Sequence, residues 1–161
     1  MKDNPTTTAQ SRKASFKGRM MGRLAAVQAL FQIEQTQSAA SSVVLEFLDH
    51  RLKKMKPKVD STFFSKLVEG AWRVHERSDE IITGALKPGW TLDRLESVTR
   101  AILRAALYEI IETQTPTPVI IDEYLNLTHA FFDDAEVAFV NGVLNTVAQK
   151  IRPSNLPKTN I

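Results

Sequence analysis

The chain has 161 residues, 43% of them hydrophobic, which is the size of one domain and enough apolar material for one core. It has no Cys, which excludes disulfides, zinc–thiolate centres and thiol nucleophiles. The net charge of +3 is uneven: residues 1–23 carry Lys2, Arg12, Lys13, Lys17, Arg19 and Arg23 against Asp3 alone, and the remainder has 15 cations against 17 acids. Such a basic start attracts polyanions and releases their counterions on contact. It also lacks the apolar centre of a secretory signal. No apolar run reaches the roughly eighteen residues of a transmembrane helix. A cytoplasmic location and no membrane partner are expected.

Residues 1–18 read as a flexible basic arm, disordered over at least 1–15, because no periodic apolar face runs through them. From Arg19 the pattern turns helical, with Leu24, Val27, Leu30 and Phe31 as its stripe. Cations at that helix start oppose the helix dipole, at about half a kcal/mol. Ser41 or Ser42 is the expected cap of a second helix, whose stripe is Val44, Leu45, Leu48 and Leu52. It runs into Arg51, Lys53, Lys54, Lys56 and Lys58. This second basic patch reads as a solvated helix end or as a supplementary nucleic-acid contact.

Asp60 or Ser61 should cap a long third helix through Phe63, Phe64, Leu67, Val68, Ala71, Val74, Ile81 and Ile82, ending at Lys87-Pro88-Gly89. Trp90 to Leu95 forms a connector, with Trp90 expected to seal the core. The next helix carries Val98, Ile102, Leu103, Ala106, Leu107, Ile110 and Ile111, and Pro116 and Pro118 stop it. A helix over 119–132 follows. Asp133-Asp134 then caps the last one, whose stripe is Val137, Val140, Val143, Leu144, Val147 and Ile151. No strand-like alternation is long enough to defend. The expected fold is all-α, a compact bundle of about six to seven helices, with a helical domain over 19–152 and a polar tail over 153–161.

No enzyme site emerges: His50, His75 and His129 lie on separate helices without metal or triad spacing, so no catalytic residue, metal or cofactor is expected. What remains is recognition. Single-stranded RNA is held by cations along its backbone and by rings that stack on its bases. The candidates are Arg12, Lys13, Lys17, Arg19 and Arg23, with Arg19 and Arg23 one helical turn apart. Phe31 and Phe139 are candidate stacking rings, although spacing alone favours a core role for both.

The chain resembles the NusB family of transcription antitermination factors. The resemblance rests on Arg19 to Phe31, on Phe64 to Gly70 with Asp79, and on Trp90, Arg94 and Leu95. It continues through Leu103-Arg104-Ala105-Ala106-Leu107-Tyr108-Glu109 and Pro118 to Glu123, and ends with Phe139-Val140-Asn141-Gly142-Val143-Leu144. It implies two packed helical subdomains that bind boxA-type RNA jointly with NusE, a small-subunit ribosomal protein. Together they join an antitermination complex with RNA polymerase, notably on ribosomal RNA operons. It also allows a homodimer, and it places RNA on the basic N-terminal segment, hence on Arg19 and Arg23. The chain departs from the family pattern at Met20 and Met21, where Arg is usual, at Phe31 for Tyr, and at Ala138 for Lys.

Within these motifs, Gly142 is expected to admit a close helix and Asn141, if buried, to need partners. Arg104 and Glu109 lie on a largely apolar helix, and a buried or interfacial ion pair is expected to reconcile them with it. Two other readings stand beside this one. The chain is the RNA-binding part of a ribosomal RNA cytosine methyltransferase, which needs more sequence than these residues, or a protein-binding helical adaptor.

Overall fold

The computed structural model describes residues 5–153, with side chains from Ala9 onward. Among these residues there are seven helices and no strand, so the all-α expectation holds. They are α1 (Pro5–Thr36), α2 (Ala40–Glu46, running through a π turn at Phe47–Arg51 into Leu52–Lys54), α3 (Ser61–Arg73), α4 (His75–Ala85), α5 (Ser97–Glu112), α6 (Thr117–Phe131) and α7 (Asp134–Ile151). The chain divides into two compact units, Met1–Glu69 and Gly70–Ile161. The polar tail beyond Pro153 and the first four residues of the arm lie outside the described residues.

In the first unit α1 corrects the expected disorder: the helix begins at Pro5. Proline suits a first helical position because its missing N–H would be unpaired there anyway. Residues 9–17 are all exposed, so no packing holds this part of the helix. Absence of an apolar face predicts absence of packing, not of helix. Once residues 19–36 are nucleated by burial, adding good helix formers such as Arg12, Lys13 and Ala14 costs little. The dipole penalty also disappears, because Arg19 and Arg23 now sit several turns from the helix start.

Deeper in, Ala25, Ala26, Val27, Ala29, Leu30 and Ile33 are buried, together with Val43, Val44, Phe47 and Leu52 of α2. The π turn shifts the α2 stripe. Phe47 goes inward and Leu45, expected inside, is exposed. Phe47 stacks on Phe64 of α3 with centroids 5.5 Å apart, adding about 1 kcal/mol beyond the area the two rings bury. Neither Ser41 nor Ser42 caps α2; the capping position is Ala39, without a side-chain bond. Asp60 does cap α3, its Oδ1 accepting from the Phe63 N–H at 3.0 Å.

The second unit is built around α5, buried at every position from Ala101 to Leu107 and again at Glu109 and Ile110, with α4, α6 and α7 packed on it. The long third helix of the sequence reading is two helices, because Val74 leaves helical geometry (φ −101°, ψ 9°). There the His75 ring nitrogen Nδ1 binds the Trp72 carbonyl, which an unbroken helix would offer to residue 76. At the end of α4, Pro88 and Gly89 form a tight turn in which Gly89 takes φ +86° and the Trp90 N–H reaches the Lys87 carbonyl. Trp90 does not seal the core: it is 46% exposed, with the Arg94 guanidinium 5.1 Å from its ring.

Motif residues of the second unit are held in several ways. Arg104 pairs with Asp79. Glu109 is buried and accepts from the Tyr124 hydroxyl at 2.6 Å. Gly142 faces open space and Asn141 is exposed. The close approach occurs instead at Gly70, where a Cβ would lie 2.2 Å from the Tyr108 ring. Helix α6 starts at Thr117, two residues earlier than expected, because Pro118 is accepted in a first turn. Asp133 caps α7 as anticipated, its Oδ1 accepting from the Glu136 N–H at 3.2 Å.

Candidate nucleic-acid interface

Helix α1 arranges the candidate residues by simple geometry. At about 100° per residue, Lys13, Lys17 and Phe31 point within about 40° of one another, and Arg12, Phe16, Arg19 and Arg23 within about 60°. The two rows are neighbours, and together they cover somewhat less than half of the helix circumference. Arg12, Lys13, Lys17 and Arg19 are exposed. From Arg12 to Phe31 the axis runs about 28 Å at 1.5 Å per residue.

Phe31 is 37% exposed and Phe16 is 50% exposed. The core role that spacing favours for Phe31 is therefore incorrect. Val27 and Leu30 fill the core beside it, and the Phe31 ring is left on the side shared with the two lysines. Sequence reasoning missed Phe16. Its signal is its place one turn after Arg12 and one turn before Arg19, which reads as a ring between cations only once the segment is known to be helical. Phe139, the other candidate ring, is half-buried on α7.

Arg23 differs from its neighbours. It is 4% exposed, and its guanidinium lies 5.0 Å from the Phe63 ring centroid. Gly22 makes room for that ring, since a Cβ there would sit 2.8 Å from Phe63 Cδ1. Burial against Phe63 leaves Arg23 almost no surface for a phosphate, whereas Arg19 keeps its own.

One turn earlier, Gly18 accepts a hydrogen bond from the Asp60 N–H at 3.0 Å, and a Cβ on Gly18 would lie 3.5 Å from the Lys58 carbonyl. This joint sets the backbone of Lys58 against α1, between Lys17 and Arg19 in sequence. Arg51, Lys53, Lys54, Lys56 and Lys58 are all exposed. The second basic patch therefore meets α1 on the side of Gly18, about 100° around the helix from Lys17 and from Arg19.

Among the described residues, no group of three His, Cys, Asp or Glu could hold a metal ion, and no helix is long and apolar enough to cross a membrane.

An all-helical protein whose first helix displays cations and rings on one face has the surface chemistry that fits the backbone and bases of single-stranded nucleic acid. The NusB family model matches residues 20–149, and the chain belongs to the NusB family. It is 40% identical over 156 residues to the transcription antitermination protein NusB of Rhizobium rhizogenes, covering 93% of each chain. Among solved structures it is similar to T. maritima NusB (TM-score 0.73, 30% identity, 84% of this chain and 94% of that one). It is similar also to a structure of antitermination factors NusB and NusE in complex with dsRNA (TM-score 0.72, 26% identity, 83% of this chain and 98% of that one).

Proposed function

We propose that this chain is an RNA-binding transcription antitermination factor. It binds a boxA-type single-stranded RNA together with NusE, and the pair acts on RNA polymerase in the cytoplasm, notably on ribosomal RNA operons. The role is binding rather than catalysis. The observation that carries the reading is the face of α1, where four exposed cations and two exposed rings lie along one side of a helix. The cations hold phosphates and the rings stack on bases. Family membership supports RNA binding and antitermination, and the similar structure of NusB and NusE in complex with dsRNA supports NusE and RNA as partners.

Arg12, Lys13, Lys17 and Arg19 are assigned to phosphates, with Phe31 and Phe16 as stacking rings. Arg23 acts indirectly, by holding α1 against Phe63. The test is a titration of fluorescently labelled boxA RNA, with and without NusE, in low and high salt. With four phosphate contacts, a fourfold rise in salt weakens binding about fifty-fold, from the single-strand slope of about 0.7 per contact. Equal affinity for a scrambled RNA of the same length, in the presence of NusE, would leave only a non-specific basic helix.

A further inference from the structure

The lysine-rich turn after α2 has no role in the reading above, and its surroundings give it one. Between Leu48 and Ser61 lies a cleft of about 500 Å³, within the range of about 300–1,000 Å³ typical of small-ligand sites. It is lined by the apolar side chains of Leu48, Leu52, Met55 and Val59 and by Lys53, Lys56 and Lys58. All three lysines are exposed, and among the described residues none has a carboxylate partner. Of the acids close by in sequence, Asp60 is engaged in capping α3 and Asp49 lies on the π turn.

A solvated helix end explains only part of this. Cations complement a helix dipole within the last turn. That turn ends at Lys54, so Lys53 and Lys54 fit the explanation, and Lys56 and Lys58 lie beyond it. Apolar side chains beside ammonium groups offer an unstacked nucleotide apolar contact for its base and positive charge for its phosphates. The Gly18–Asp60 hydrogen bond joins the end of this turn to α1, about 100° around the helix from Arg19 on one side and from Lys17 on the other.

We propose that the RNA held on α1 continues onto this turn, and that a nucleotide flanking the boxA segment seats its base in the cleft with its phosphates on Lys53, Lys56 and Lys58. The proposal rests on α1 as the primary RNA site and extends the footprint beyond it.

The experiment compares the full-length wild type with a K53A/K56A/K58A variant, each titrated with two single-stranded RNAs. One is a minimal boxA-type strand, and the other is the same strand lengthened by five nucleotides at each end. The expected result is that wild type binds the longer RNA about tenfold more tightly and the variant gains nothing from the extension. Its salt slope on the longer RNA falls by about 2, from three lost contacts at about 0.7 each. A K53Q/K56Q/K58Q variant, which keeps most of the side-chain length, should behave identically. Matching thermal melts establish that both variants are folded.

A variant that binds the longer RNA as tightly as wild type overturns the proposal and leaves the α1 site intact. Equal losses on both RNAs overturn it too, since the lysines then act through overall charge. A wild type that binds neither RNA removes the α1 reading together with this one.

Discussion

Arg104 and Asp79 close a two-pronged ion pair in the second unit, with Nε to Oδ1 and Nη2 to Oδ2 both at 2.9 Å. The Arg104 side chain is 9% exposed and that of Asp79 25%. The guanidinium also lies 5.7 Å from the Trp72 ring centroid. An arginine on the otherwise apolar face of α5 is thus matched by a carboxylate from α4 and a ring from α3, and it fixes where those helices meet.

Asp79→Ala is therefore expected to destabilise the protein by about 2–3 kcal/mol. Removing one partner of a buried pair costs about 3–5 kcal/mol, and the lower figure applies because Asp79 retains contact with water. Urea unfolding measures it. A loss under 0.5 kcal/mol would mean that the pair is held in water on both sides.

Two glycines inside helices should respond to alanine with opposite signs. At Gly70 the new Cβ would lie 2.2 Å from Tyr108 Cε2 and 2.4 Å from Cζ, so the ring must be displaced. Overpacking of this kind costs about 1–3 kcal/mol. At Gly142 nothing lies within 4 Å, and alanine is the better helix former by about 1 kcal/mol. Gly70→Ala should lower the melting temperature and Gly142→Ala raise it. The same sign for both would contradict the packing described for α3 and α5.

Arg152, the residue after α7, donates to the carbonyls of Glu109, Ile110, Thr113 and Thr115. These acceptors are the end of α5 and the turn that follows, where helix carbonyls lack intrahelical partners and the dipole is negative. Arg152→Ala should cost about 3 kcal/mol, since charged hydrogen bonds contribute about 1.5–3 kcal/mol each and are not additive. Arg152→Lys should recover less than half of it, because an ammonium cannot span the separated acceptors as a planar fork does. Full recovery by lysine would reduce the role to simple charge.

Helix identity and several termini were legible in the sequence for local reasons. Asp60 and Asp133 precede periodic apolar runs, and a short carboxylate at that place satisfies a free N–H whatever packs later. The rest depends on packing partners, on exposure or on a change of helical pitch. The inward face of α2 moves to Phe47 because of a π turn that no side-chain pattern announces. Trp90 has the composition of a core residue, yet it lies beside a tight turn and finds Arg94 outside. Gly18 and Gly22, four residues apart, mark where α1 meets the start of α3. Their spacing was visible, but what they face was not. At the candidate site, charge could be counted along the chain, whereas exposure could not. Arg19 and Arg23 are equivalent in sequence and opposite in environment.

That contrast gives the most direct test of the interface. Arg19 is exposed, so Arg19→Ala should leave stability within about 0.5 kcal/mol of wild type. On RNA it should lower the salt slope by about 0.7, the value of one single-strand contact. Arg23→Ala should do the reverse. It gives up a cation–π contact of about 1 kcal/mol and leaves space over Phe63, so unfolding shifts to lower urea while affinity changes less than twofold in conditions where the protein is folded. Phe31→Ala completes the set, because one stacked base is worth about 1–3 kcal/mol and affinity should fall roughly tenfold with only a small loss of stability. If Arg23→Ala instead weakens RNA binding as much as Arg19→Ala while the fold stays intact, the guanidinium must leave Phe63 to reach the RNA, and α1 must shift against α3 when RNA binds.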